Sequence, residues 1–260
     1  MKNKILFHSK TFQNNTVSEF NPGPAKKSIP NWFMSADRYI RDKIGNIAIE
    51  FYKTKDGSIK FDRQHTFKSC PAVFDSLSSG YLLYTPCDIE IKKDKDSYSI
   101  KIDEKFANNV NLKNFAFCNI RGEGNGFPTP KGYSPVHFTW STNWFPQLPE
   151  GYIALFTHPI NRFDLPFLTI SGIVDCSGYI NGGLAPFFIQ EDFEGVIEAG
   201  TPYMQIIPFK NEDWEHENIY YNEEQSLEHR KQMKLMYENK DSIEHTTNYK
   251  EKFWTKKYFD

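Results

Sequence analysis

Short apolar runs, punctuated by Pro, Gly, Asn and Asp, dominate residues 151–209, GYIALFTHPINRFDLPFLTISGIVDCSGYINGGLAPFFIQEDFEGVIEAGTPYMQIIPF. Runs of about four to eight apolar residues bounded by turn formers predict short strands joined by tight turns. Turn signals recur closely and no strand–helix alternation is visible, so antiparallel pairing is expected. The fold class predicted is mainly β, a jelly-roll or similar antiparallel sandwich, with a C-terminal helix and extended terminal straps.

The rest of the chain supplies further elements. Residues 5–7 are a short strand candidate, and NPGPAKKSIPNWF (21–33) is too rich in Pro and Gly for a helix interior. Trp32 and Phe33 at its end are read as core anchors on an extended arm, a partner-binding hook being the competing reading. IGNIAIEFYK and GSIKFDR flank Thr-Lys-Asp-Gly, where Asp56 and Gly57 suit a tight hairpin turn. Pro71 can open a short helix over 71–77 that Gly80 ends. YLLYTPCDIEI then reads as one strand with Pro86 at an edge or bulge, and 97–102 as its hairpin return.

Residues 103–121 are ambiguous between strand and coil, and RGEGNGFPTPKGYSP (121–135) reads as a loop. The Gly-rich part lacks the strand–loop–helix setting of a phosphate cradle, so a surface loop is favoured. Phe138, Trp140, Trp144 and Phe145 cluster in the next strand, as core rings do. Residues 223–240 lack Gly and Pro and predict a helix whose thin apolar stripe is Leu227, Met233, Leu235 and Met236, packing on the β body or on another subunit. The tail, YKEKFWTKKYFD, interleaves Lys with rings. Such a tail can stack on single-stranded nucleic acid, although a strap packing its rings on a neighbour is the favoured reading. Residues 1–215 are therefore expected to form one β-rich domain with an N-terminal arm, and 216–260 a helix and tail.

Composition narrows the function. Of 260 residues, 39% are hydrophobic but 16% are aromatic, so rings rather than Leu should build the core. A formal net charge of -2 gives no overall basic field and argues against a nucleic-acid partner. Cys70, Cys87, Cys118 and Cys176 form no C-x-x-C and read as buried free thiols in a reducing compartment. No run reaches the roughly 20 apolar residues of a membrane span. A soluble protein with no membrane partner is expected.

Candidate chemistry is sparse. The seven His form no H-x-H, H-x-D or H-E-x-x-H pattern, so no metal and no cofactor is expected. No G-x-S-x-G occurs. In THPINRFDLPF, His158, Asn161, Arg162 and Asp164 lie inside an apolar segment, where polar groups must be satisfied or functional. A structural network pairing Arg162 with Asp164 is favoured over a small-molecule or partner site. Asp175, after Ile173 and Val174, is a general base through a water or a turn initiator bonded to its own backbone.

KKSIPNWF, SCPAVFDSLSSGYLLYTPCDIEI, GYIALFTHPINRFDLPF, SGIVD and AGTPYMQIIPFK, in that order over residues 25–215, resemble an uncharacterised family of tailed marine bacteriophages. That resemblance implies a viral origin and no assigned activity. GIVDCSGYING with IEAGTPYMQIIPF separately resembles part of the trimeric dUTPase family, whose fold is a β-clip jelly roll. Asp175 and Tyr179 match its Asp-x-Asp-Tyr segment with one additional residue, and Gly200, Gln205 and Ile206 match its closing strand. HPINR stands where that family has Arg-Ser-Gly, and a charged helix replaces its Gly-rich arm, so phosphate donors are lacking. The leading expectation is a phage-encoded, non-catalytic structural or assembly protein, a capsid or tail accessory, made in the host cytoplasm. Its partners would be other phage structural proteins or itself, as a homo-oligomer. The alternative is a nucleotide-binding or nucleotide-hydrolysing β-clip enzyme with a pocket of Arg162, Asp164, Asp175, Tyr179 and Gln205.

Overall fold

The computed structural model describes residues 4–9, 20–53, 57–95, 97–103, 106, 116–124, 126–178 and 183–237. The expectations for Asp56, Tyr179 and the basic–aromatic tail fall on residues outside these. The strands are β1 (Leu6–Ser9), β2 (Gly23–Pro24), β3 (Ile49–Lys53), β4 (Ile59–Arg63), β5 (Tyr81–Tyr84), β6 (Ile89–Asp94), β7 (Ser97–Ile102) and β8 (Cys118–Glu123). They continue with β9 (Tyr133–Ser141), β10 (Trp144–Gln147), β11 (Tyr152–Thr157), β12 (Phe167–Thr169), β13 (Gly172–Val174), β14 (Leu184–Gln190), β15 (Gly195–Ile197) and β16 (Pro202–Lys210). Helices are α1 (Asn31–Ser35), α2 (Pro71–Ser78) and α3 (Glu223–Tyr237). The fold is mainly β, and every strand pairing described is antiparallel.

The chain divides into two compact units, residues 1–28 with 77–212 and residues 29–76 with 213–260. In the first, a five-stranded sheet ordered β13-β11-β16-β5-β2 and a four-stranded sheet ordered β12-β14-β9-β8 form a sandwich, with smaller sheets β15-β6-β7 and β1-β10. Its core joins the rings of Phe117, Phe138, Trp140, Phe167, Phe187 and Tyr203 to Leu, Ile and Met side chains. Rings outnumber Leu there, as the composition predicts, but do not build the core alone. Trp140 stacks on Phe187 with ring centroids 3.8 Å apart, and Tyr203 of the facing sheet lies 5.2 Å from Trp140. The indole N–H of Trp140 donates to Thr169 Oγ1 at 3.1 Å, and that hydroxyl donates to the Tyr203 carbonyl at 2.7 Å. A buried polar relay therefore ties the two sheets, leaving both polar groups paired.

YLLYTPCDIEI departs from the single strand expected. The chain turns a corner between β5 and β6, which enter different sheets. The buried Thr85 makes the corner: its hydroxyl donates to the Glu198 carbonyl at 2.7 Å and accepts the Thr201 N–H at 3.0 Å. Residues 121–135 are likewise not all loop, because β8 extends to Glu123 and β9 starts at Tyr133.

In the second unit, β3 and β4 form the expected hairpin, with Gly57 at φ +84°. Trp32 and Phe33, expected on an extended arm, lie instead in α1, with Pro30 preceding it where a missing N–H costs nothing. Phe33 is buried against Phe74, and Lys68 Nζ donates to the carbonyls of Phe33 and Met34 at the end of α1. The described side chains of α3 are largely exposed.

Candidate functional site

The turn from β11 to β12 carries most of the polar residues singled out from the sequence. Asn161 sits there at φ +61°, a left-handed conformation Asn tolerates. His158 Nδ1 accepts the Thr169 N–H at 3.4 Å, which leaves Nε2–H to donate to the Arg162 carbonyl at 3.1 Å. Burial lowers the His158 pKa, so the ring is a neutral strut across the turn. Arg162 grips Asp164 through Nε and Nη2 at 2.8–3.2 Å.

Gln205 projects from β16 to hold the same turn. Its Oε1 accepts the Ile160 N–H at 2.8 Å, and its Nε2 donates to the Ser79 carbonyl at 2.7 Å. A buried amide bonded at both ends to backbone has become part of the frame.

Asp175 lies elsewhere, on the wall of a cavity of about 410 Å³ that also involves Trp144, Phe145, Phe156, Cys176, Leu184 and Met204. Arg162, Asp164 and Gln205 do not line it. Volume and apolar walls suit a small organic molecule. The chemistry on its wall is weak. Asp175 Oδ1 accepts from the Ser177 hydroxyl at 2.7 Å and the Ser177 N–H at 2.9 Å, forming the turn that was the competing reading. Those bonds, the hydroxyl's first, hold the carboxyl below the usual carboxylate range, which makes it a poor general base near neutrality. Burial, with Asp175 adding, pushes the Cys176 thiol up to about 11, so the thiolate nucleophile is scarce. All four cysteines are free, but Cys70, just before α2, is exposed rather than buried.

Sequence reasoning missed two surfaces. By the β3–β4 register, Ile49, Phe51, Ile59 and Phe61 share one face of the hairpin with Lys53 and Arg63 at its ends, and Phe51 is directly opposite Phe61. The four apolar residues are, in that order, 46%, 68%, 73% and 52% exposed. The second surface is residues 213–221, where Trp214 is 87% exposed. The alternating apolar pattern of both hairpin strands was readable, whereas the lack of a covering element was not.

Among the described residues, no helix is long and apolar enough to cross a membrane. No protein-family model matches the chain, and no curated protein matches it. Among solved structures, a mutant dUTPase from phage phi11 of S. aureus is similar at 12% identity, with 56% of this chain and 85% of that chain covered and a TM-score of 0.28. At that score the likeness carries no argument about this chain.

Proposed function

We propose that this chain is a phage-encoded, non-catalytic structural or assembly protein that works by contact with other proteins, in the position of a capsid or tail accessory. The uncovered apolar face of β3 and β4 carries this reading. A two-stranded hairpin is marginal on its own, and a contiguous exposed apolar face is a feature of interaction sites. Here four large side chains stay in water on a hairpin that folding alone does not require them to decorate. The resemblance of residues 25–215 to the phage family supplies the viral setting. The bonding of Arg162, Asp175 and Gln205 within the frame is consistent with a non-catalytic role. Mass spectrometry of purified particles of the encoding phage tests it. A stoichiometric copy number is expected, lost when Phe51→Ser and Phe61→Ser are combined; absence of the wild-type chain from the particle overturns the proposal.

A second reading, the nucleotide-binding or hydrolysing β-clip enzyme, is favoured by one observation, the cavity walled by Asp175. A thermal-shift panel of nucleotides separates the two. Ligand at about 100 times its Kd stabilises a protein by about 2.7 kcal/mol. No such shift is expected here, and one that disappears in Asp175→Ala would promote the enzyme.

A further inference from the structure

Residues 213–221, DWEHENIYY, lead into α3 and are exposed at every position. Trp214 and Tyr220 are 87% and 89% exposed, so these rings contribute little to the unit that carries them. The segment is neither helix nor strand, and no backbone hydrogen bond among the described residues involves it. Its N–H and C=O groups are thus available to a ladder from outside. It contains Asp213, Glu215 and Glu217 and no Lys or Arg.

In an extended chain, successive side chains alternate sides. Asp213, Glu215 and Glu217 then share one face, with Trp214, His216 and Tyr220 on the other. Resting on the protein-contact reading above, we infer that residues 213–221 are a docking strand that adds to the exposed edge strand of a partner protein bearing Lys or Arg at alternate positions. Backbone bonds supply the attachment, as in strand addition generally. Cross-strand pairing of opposite charges selects the partner, since like charges directly opposite are repelled. Among the described strands, none carries Lys or Arg at positions i and i+2, so none of them offers this complement to a second copy.

The test titrates the full-length chain with a synthetic ten-residue peptide of alternating Lys and Val, and with its Glu–Val counterpart, following tryptophan emission. The Lys–Val peptide is expected to give a saturable blue shift, lost in Trp214→Phe. Its affinity should fall on the order of tenfold or more when Asp213, Glu215 and Glu217 are all changed to Lys. The Glu–Val peptide should do nothing. No saturable shift, an equal response to both peptides, or a response surviving the charge reversal overturns the inference. Self-association of the chain alone that is lost in Trp214→Ser overturns it too, by making a second copy the occupant. Failure here while Phe51 and Phe61 remain necessary for incorporation leaves the broader contact reading standing. A selective response from a chain absent from the particle supports the docking strand and removes the phage-particle setting.

Discussion

Thr169 makes two of the most consequential bonds in the molecule, because it accepts from the Trp140 indole and donates to the Tyr203 carbonyl. Thr169→Val keeps the shape and removes both bonds, leaving two buried polar groups unpaired. A loss of about 1–3 kcal/mol is expected for such groups, read in a urea melt. Trp140→Ala, which empties a fully buried ring site, should cost more, about 3–5 kcal/mol. His158 sets a pH dependence. Its pKa is lowered from 6.5 by burial, so the unfolded chain takes a proton more readily than the folded one. The stability from the neutral ring is complete above about pH 6.5 and is lost as pH falls through the lower folded value. Thermal melts between about pH 7.5 and 5.5 should show a falling Tm, with a shallower fall in His158→Gln; identical slopes would contradict the neutral strut. That polar residues in 158–164 and Gln205 mattered was legible, because polar groups amid apolar runs stand out. Which partner satisfied each was not, since Gln205 bonds to Ser79 and Ile160, both distant in sequence.

At the scale of elements, local chemistry was the readable part. The hairpin at β3 and β4 followed from its turn residues, and α2 from Pro71 and Gly80. Gly80 has a second role that sequence did not disclose. At φ +67°, a Cβ there would lie 2.1 Å from the Ile206 carbonyl oxygen, so the backbone at Gly80 presses against β16. Gly151 has φ +79° with nothing within 4 Å of a Cβ. Gly151→Ala should therefore cost only the left-handed strain of about 1–2 kcal/mol. Gly80→Ala should cost clearly more, since backbone must also move. Equal Tm losses in the two variants would contradict the close approach. The break between β5 and β6 was illegible for the same reason: Thr85 turns the corner by bonding Glu198 and Thr201, more than a hundred positions away.

Across the whole molecule, apolar residues are used in two ways. The first unit closes most of its rings into a core, with Phe127 and Phe163 as exposed exceptions, whereas the second leaves the β3–β4 face and residues 213–221 in water. The β class was legible because periodicity and turn chemistry are local; the uncovered faces depend on what does not pack, which no residue pattern encodes. Phe51→Ser with Phe61→Ser should leave the melting curve within a few degrees of wild type, because exposed rings contribute little to stability. The same pair should abolish incorporation into particles. Oxidative footprinting of Phe51 and Phe61, in the free chain and in purified particles, tests the contact role most directly. Ready labelling in the free chain and strong protection in the particle are predicted; equal labelling in both states would contradict the account.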